Sequence, residues 1–513
     1  MLRTRSLDTD SPYVADESKM SGHADALLIP DNEDDVIEAA RESYRNGTPL
    51  TVSGMRTGMC GGCVPFGGKV LTTEKMNRVI GAGRDDRGFF IRLQPAVTVR
   101  ELNDVMRRKA YSNLQDVTEG ATAELKASGD YFYPVDPTEL NSSIGGNIST
   151  NASGPRTLKY GPTRNWVRRI RVVLSDGTAL DLARGDVKAV ERTFRVHMGD
   201  GFHTVRLPSY DFNMDVKNSC GLMSRDGMDL VDLFIGSEGT LGIITEADVY
   251  VTEWHPLMSN ILFFPCDEDA YGFVRGIRAS SATPEFLEFL DSGSLNLIRG
   301  VRSKDPLFTS MPDLPSYAKS AVLLDLPMDD TLRPSYEAIK MAAEAHGGSL
   351  DRCWCGHELK DRERFFGMRH SIPQTVFEYV AGLKRTVPKI HKMATDMAVP
   401  LDRSDEMAGL YKSALDSYGL EHVIFGHIGN GHLHVEIILK DMGDLEKAHA
   451  AYRELAKKAI SLGGSPSAEH GIGKIKKEYV ALLYGQKGVD EIRELKRSLD
   501  PKMILAPGNM VDP

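Results

Sequence analysis

The sequence predicts an α+β protein in two parts: a glycine-punctuated first half, and a second α+β domain built on an antiparallel sheet. Three observations predict it. Residues 53–70, 133–167 and 236–245 crowd glycine with small polar residues between β-type runs. After Pro256 the texture changes to apolar runs and amphipathic stretches in the order β-α-β-β-α-β. At 513 residues the chain has room for two or three cores.

The elements follow in order. Residues 1–24 carry two early arginines, then acids and no apolar run, and read as a surface arm rather than a secretory signal. A helix is expected from Asp34 to Arg45: acids crowd its first turn, Val36, Ala39 and Ala40 make its apolar side, and Gly47 stops it. "TPLTVSG" is a buried strand entering the first glycine loop. "VRRIRVVLSDGTALDLA" is a hairpin turning at Ser175-Asp176-Gly177. The polar stretch from Gly185 to Asp215 has no clear period and reads as an insertion. "LVDLFIGSEGTLGIITEADVYVTEW" is a helix start or turn, a glycine loop, then a strand. Beyond Pro256, "SNILFFPC", "PEFLEFLD" and "KSAVLLDLP" are strands; "DEDAYGFVRGIRAS" and "TLRPSYEAIKMAAEAHGG" are helices. Arg369-His370 starts a helix or loop, and "ATDMAVP" is a strand. The expected division is an arm 1–24, a domain 25–255, a second domain 256–465, and a segment 466–513 that returns to the first.

Composition narrows the function. A formal net charge of −10 argues against general nucleic-acid affinity. No apolar run reaches the roughly 18 residues of a membrane-spanning helix. Six cysteines are too few for a disulfide scaffold, and neither Cys60/Cys63 nor Cys353/Cys355 has a second pair at zinc or iron–sulfur spacing. The expected location is the cytoplasm, with peripheral membrane contact left open.

Two kinds of motif carry chemistry. Glycine lets backbone approach a ligand and aim N–H groups at an anion, so the three loops suit a phosphate and a flat ring; each loop alone reads equally well as a turn. None is a Walker A or a G-x-G-x-x-G. The second kind is the histidine cluster in "GHIGNGHLHVEI". His427 and His434 lie seven residues apart, on opposite faces of a straight strand, but the Gly429-Asn430-Gly431 turn can fold them together. Glu469-His470 follows in "SAEHGIG". Two histidines and one glutamate are a zinc or manganese ligand set with open positions; a decorated hairpin is the plain alternative.

Taken together, these motifs resemble the FAD-binding part of the vanillyl-alcohol oxidase/para-cresol methylhydroxylase superfamily. Within it the chain resembles the branch of D-lactate dehydrogenase, glycolate oxidase and D-2-hydroxyglutarate dehydrogenase, over residues 25 to 513. The resemblance implies a two-subdomain FAD-binding domain of the vanillyl-alcohol oxidase type plus an α+β substrate cap. It places the FAD pyrophosphate on Thr57, Gly58, Gly61 and Gly62. It lines the flavin and its chain with Asp136, Pro137, Thr138, Gly145, Gly146, Asn147, Thr150, Asn151, Ala152 and Gly154, and completes the adenine and ribose side with Glu238, Gly239, Gly242 and Ile244. The FAD is expected to be noncovalent, with Cys60 and Cys63 as loop fillers.

The resemblance also implies His427, His434 and Glu469 as ligands of a divalent metal, zinc or manganese, with His470 as catalytic base. Arg369 and Lys392 are expected to hold a substrate carboxylate. His432 and Glu436 stand where the family often has asparagine; a carboxylate at 436 in the substrate pocket would repel a substrate carboxylate unless a metal or cation intervenes. The implied reaction is oxidation of a D-2-hydroxy acid, of the lactate, glycolate or 2-hydroxyglutarate type, by hydride transfer to flavin. The electron acceptor would be a quinone, an electron-transfer protein or oxygen, and the resemblance is compatible with a homodimer. An alkylglycerone-phosphate-synthase-like transferase and a metal-dependent hydrolase are the rival readings.

Overall fold

The computed structural model describes residues 2–8, 10–199, 201–301 and 311–513. Residues 1, 9, 200 and 302–310, which fall in the expected arm, insertion and second domain, lie outside the described residues.

The first half carries two main sheets. The smaller has strand order Arg3–Ser6, Ala26–Ile29, Lys69–Thr72, Leu50–Ser53. The predicted helix forms as Glu33–Asn46 between two of these strands. Asn32 caps its N-terminus through the Asp35 N–H, and Gly47 closes it in a left-handed conformation. Its buried side is Val36, Ala39 and Ala40, packed on Leu28, Leu50 and Leu71. The residues read as a surface arm do not hang free. Arg3–Ser6 pairs antiparallel with Ala26–Ile29, Val14 and Asp16 are buried, and the His23 N–H donates to the Pro65 carbonyl of the first glycine loop.

The larger sheet has six strands in the order Ala179–Ala183, Val167–Val173, Ile243–Tyr250, Gly88–Leu93, Val79–Asp85, Gln115–Asp116. The predicted hairpin is its edge, with Val173 opposite Ala179. The stretch read as an insertion is itself a hairpin, Thr193–Met198 with Gly201–Arg206. Its short period-two signal, Phe194, Val196 and Val205 inward, is blurred by an outward side that mixes Arg195 and Arg206 with exposed Phe202.

The second half holds an eight-stranded sheet. Its order is Trp354–Gly356, Leu257–Phe264, Ser320–Pro327, Leu287–Leu290, Glu421–Gly426, His432–Ile438 and Met393–Ala394, with Met397–Ala398 also against His432–Ile438. Ser320–Pro327 is buried at every residue, which explains its nearly unbroken apolar run. Between strands run the helices Asp267–Arg278, Ser292–Val301 and Leu332–Ala345; the second was absent from the predicted order. Two local readings change. Arg369 sits in mid-helix, in the 25-residue helix Leu359–Leu383, rather than at an element's start. "ATDMAVP" is two short strands broken at Thr395-Asp396.

After the helix Met442–Ser461, residues 465–476 cross back to the first half, and the helix Lys477–Leu499 packs there. The tail then joins the small sheet: the Leu50 N–H donates to the Ile504 carbonyl, and the Ala506 N–H to the Leu50 carbonyl.

Candidate active site

The three glycine loops meet the returning C-terminal segment. Asn509 ties two of them: its Nδ2 donates to the Gly62 carbonyl at 2.8 Å and to the Glu238 carbonyl at 3.0 Å. Its Oδ1 accepts from Lys474 Nζ at 2.6 Å. The Glu238 carboxylate accepts the Ile472 and Gly473 N–H groups, both at 2.6 Å, yet burial pushes its pKa up to about 7. The second loop is not all loop. Ile144–Thr150 is a short helix capped by Ser143, carrying Gly145, Gly146, Asn147 and Thr150, with Asn151 just past its end. Left-handed backbone at Arg56, Thr138, Asn151 and Glu238, none of them glycine, falls within or beside these loops. Such strain gathers where a fold must present backbone to a ligand.

Gly154 shows why a side chain is excluded there: a Cβ would lie 1.8 Å from the Asp136 carbonyl oxygen. That packing places Gly154 beside Asp136 and Pro137. Gly239 lies near Ala506 and Val52, while Gly242 is pressed against Val172 and Ile244 pairs with Val172 in the large sheet. Gly242 and Ile244 thus pack closely in the large sheet. Thr57 and Gly58 lie at the exposed end of the first loop, and Gly61 is buried against Met20 and Lys474.

The histidine stretch is a hairpin that gathers its imidazoles with Glu469. Glu421–Gly426 and His432–Ile438 pair antiparallel with Phe425 opposite His434, and a 3-10 turn at Ile428–Asn430 joins them. Gly431 closes that turn at φ 64°, where a Cβ would lie 2.1 Å from the Val399 carbonyl oxygen. The fold-back brings His427 Nε2 to 3.4 Å from His434 Nε2. Glu469 Oε1 lies 3.3 Å from the first and 3.2 Å from the second. Three ligand atoms around an ion at about 2.1 Å would be about 3.4 Å apart in a tetrahedral shell.

The other nitrogens are already committed. His427 Nδ1 pairs with buried Glu288, and His434 Nδ1 lies 3.3 Å from the Thr395 carbonyl. Both Nε2 atoms therefore face inward. Burial raises the Glu288 carboxyl, but His427 and Arg369 outweigh it and hold the pKa at about 2. Glu469 Oε2 faces Lys217 Nζ at 3.0 Å and Ser153 Oγ at 3.4 Å, and Lys217 also donates to the Gly154 carbonyl at 2.9 Å. The metal-type cluster and the second glycine loop are thus joined through one lysine and one serine.

His470 is the accessible member, with 29% of its side chain exposed. It stacks on His434 at 5.7 Å between ring centroids. Burial depresses its pKa, and nearby Asp396 offsets only part of that. Asp396 organises this segment. It accepts the Glu469 N–H at 3.1 Å, the His470 N–H at 3.1 Å, Ser467 Oγ at 2.9 Å and Lys476 Nζ at 2.6 Å. Burial would raise its carboxyl, but His470 and Lys476 hold it well below the usual range.

Against these geometries stand the comparisons. The family model described as FAD linked oxidases, C-terminal domain, matches residues 258–510, and the FAD binding domain model matches 24–121 and 116–183. The chain belongs to the FAD-linked oxidases. It is 27% identical over 495 residues to glycolate oxidase subunit GlcD of Bacillus subtilis, covering 95% of this chain and 88% of that one. To a D-lactate dehydrogenase of Anaerostipes hadrus it is 26% identical, covering 98% and 93% of the two chains. To a D-2-hydroxyglutarate dehydrogenase of Stutzerimonas stutzeri it is 24% identical, covering 98% and 94%. Among solved structures, an alkyldihydroxyacetonephosphate synthase superposes with a TM-score of 0.63 at 15% identity, over 95% of this chain and 77% of that one, which shows a shared fold.

The loops of this FAD-linked oxidase fit a flavin dinucleotide on local evidence. Buried Ser53 Oγ, Ser142 Oγ and Asn147 Nδ2 have no hydrogen-bond partner. They flank the place where Gly54 meets Ser143, with a Cβ at Gly54 falling 2.8 Å from Ser143 Oγ. Such buried groups call for a polar ligand. The cysteines fit the filler reading: all six are free, and burial pushes the Cys60 and Cys63 thiols up to about 12.

The expected carboxylate-binding cations are differently placed. Arg369 is buried, and its Nε donates to Glu288 at 2.9 Å. Lys392 pairs with Glu436 at 2.7 Å, whose Oε2 is buried without a partner. Both cations thus already carry a carboxylate. Sequence reasoning did not single out Glu288 or Asp396, although each is an acid inside an apolar run ("FLEFLD", "ATDMAVP"), a readable sign of a buried charge with a task. Lys217, Lys474 and Asn509 carry no such sign. Among the described residues no helix is long and apolar enough to cross a membrane.

Proposed function

We propose that this FAD-linked oxidase oxidises a D-2-hydroxy acid to the 2-oxo acid with the help of a divalent metal. The observation that carries the reading is the junction just described: Glu469, shared by His427 and His434 on one oxygen, reaches the flavin loop through Lys217 and Ser153 on the other. A hydroxy acid held at the cluster would lie beside the flavin. The named activities of the relatives, glycolate oxidase, D-lactate dehydrogenase and D-2-hydroxyglutarate dehydrogenase, support the substrate class.

When bound, FAD accepts a hydride, and a divalent cation lowers the pKa of a hydroxyl. This chain's residues do the rest. His427, His434 and Glu469 would hold the cation. His470, the accessible member, takes the hydroxyl proton on its imidazole. Because Glu288 occupies Arg369 and Glu436 occupies Lys392, a substrate carboxylate has to share a cation or lean on the metal. That favours a small monocarboxylate over a dicarboxylate.

The test is anaerobic mixing of the purified flavoprotein with D- and L-lactate, glycolate and D-2-hydroxyglutarate, following flavin bleaching. One D-2-hydroxy acid should reduce the flavin. His470→Asn should keep the flavin spectrum and slow its reduction by about 100-fold or more, the usual worth of a general base. Flavin that stays oxidised with every acid would sink the reading and favour the transferase alternative. Reduction by His470→Asn at the parental rate would remove the base assignment.

A further inference from the structure

We propose that His432 is a fourth protein ligand, so that this chain binds its cation in a shell of three imidazoles and one carboxylate. The inference rests on the metal-assisted reading above and adds a residue to it. His427, His432, His434 and Glu469 each offer one ligand atom, and these atoms all lie within 4.8 Å of one another.

Among the described residues, the one charged group beside His432 on its far side is Asp396, 3.3 Å from Nε2, and it leaves Nδ1 unoccupied. His432 is wholly buried, and neither ring nitrogen has a hydrogen-bond partner. A buried imidazole nitrogen left idle forfeits the hydrogen bond that water would supply. His427 and His434 differ, since each has its Nδ1 engaged by Glu288 or the Thr395 carbonyl. Coordination would resolve the anomaly. His432 Nδ1 is the nitrogen facing Glu469, 3.7 Å from its Oε2, while Nε2 stands 3.3 Å from Asp396 Oδ1. With Nδ1 on the ion, the Nε2–H is directed at Asp396, the carboxylate–histidine–metal arrangement that sets a ligand's tautomer.

The backbone holds the ring there. His432 begins the strand His432–Ile438, pairs with Ala398, and shares a strand face with His434 two residues on. The rings of His432 and His434 stand 4.4 Å apart between centroids. Lys217 on Glu469 Oε2 leaves Oε1 as that residue's ligand atom.

The chemical consequence is a shift in metal choice and site type. A third neutral imidazole favours late first-row ions, zinc, cobalt or nickel, over manganese, magnesium or calcium. Four protein ligands already satisfy a tetrahedral ion, so substrate oxygens have to enlarge the shell to five or six rather than fill a vacancy.

The experiment uses the full-length flavoprotein stripped with a chelator and reloaded with Co²⁺ or Zn²⁺. Readouts are metal content, affinity against a competing chelator, the visible cobalt spectrum, and X-ray absorption of the zinc form. The expected results for the wild type are one equivalent of metal and an absorption fit with three imidazoles. His432→Asn and His432→Gln should still take one equivalent at excess metal, bind about 100-fold more weakly, and change the cobalt bands; that loss is one ligand's share of a four-ligand zinc site. Wild-type zinc fitted by two imidazoles overturns the proposal without any variant. So does a His432→Asn protein with parental affinity and cobalt spectrum, if His427→Asn abolishes binding; the metal reading then survives alone. Wild-type protein that takes up no stoichiometric metal overturns both.

Discussion

Asp396→Asn tests how the returning segment is held. The change is isosteric and removes only charge and acceptor capacity. Asp396 faces donors on both oxygens: Oδ1 takes the Glu469 N–H, and Oδ2 takes the His470 N–H, Ser467 Oγ and Lys476 Nζ. An asparagine amide has to turn its NH₂ toward one of these sets, whichever way it flips. Lys476 is also left as a buried cation, since its short contacts are Asp396 Oδ2 at 2.6 Å and Ser467 Oγ at 3.1 Å. Breaking one partner of a buried, hydrogen-bonded pair costs about 3–5 kcal/mol. We expect that loss in urea unfolding, as a lower midpoint at unchanged m-value. Because Asp396 also positions the His470 backbone, flavin reduction by substrate should slow well before the fold is lost. A stability loss under about 1 kcal/mol, together with parental reduction kinetics, would refute the reasoning, because Lys476 would then have to be solvated or otherwise paired.

Three further outcomes are expected. Burial depresses the Lys474 pKa to about 8 beside the first loop, so FAD affinity should fall, by about tenfold for one charge-assisted bond, as pH rises through 8; Lys474→Gln should flatten that profile in a flavin-fluorescence titration. Gly154→Ala puts a Cβ 1.8 Å from the Asp136 carbonyl and displaces the carbonyl that holds Lys217, so FAD should bind about 5- to 150-fold more weakly, from an overpacking cost of about 1–3 kcal/mol; equal flavin content and affinity would refute this. Asp291 is buried with its pKa raised to about 6, its main help being the Ser294 N–H at 2.7 Å. A raised folded pKa makes the protonated carboxyl favour folding at low pH, a contribution lost as pH rises through 6. Asp291→Asn should therefore gain up to about 3 kcal/mol at pH 7–8, and the gain should vanish near pH 4 in urea titrations at the two pH values.

Much of the fold was legible because local signals are strong where burial is continuous. The helix Glu33–Asn46 announced itself by its acids, apolar side and closing glycine, and Ser320–Pro327 by an apolar run that both faces required. The hairpin Thr193–Met198/Gly201–Arg206 escaped because its alternation is short and its outward side mixes Arg195 and Arg206 with exposed Phe202. Arg369 was read as free to bind substrate because nothing in its neighbourhood along the chain names Glu288, its partner 81 residues away.

The sequence by itself determined the family, the three glycine loops and the histidines of the hairpin, because glycine, turn and ligand chemistry is local and survives as spacing. Only the tertiary structure decided which charges meet. Glu288 with Arg369, Glu436 with Lys392, Lys217 with Glu469 and Asp396 with Lys476 are pairings across distant segments. A buried charge is tolerated only with its partner in place, and partner choice is set by packing that no stretch of chain contains. The same holds for His432: the letter was visible, but the Asp396 carboxylate behind its Nε2 and its idle Nδ1 were not.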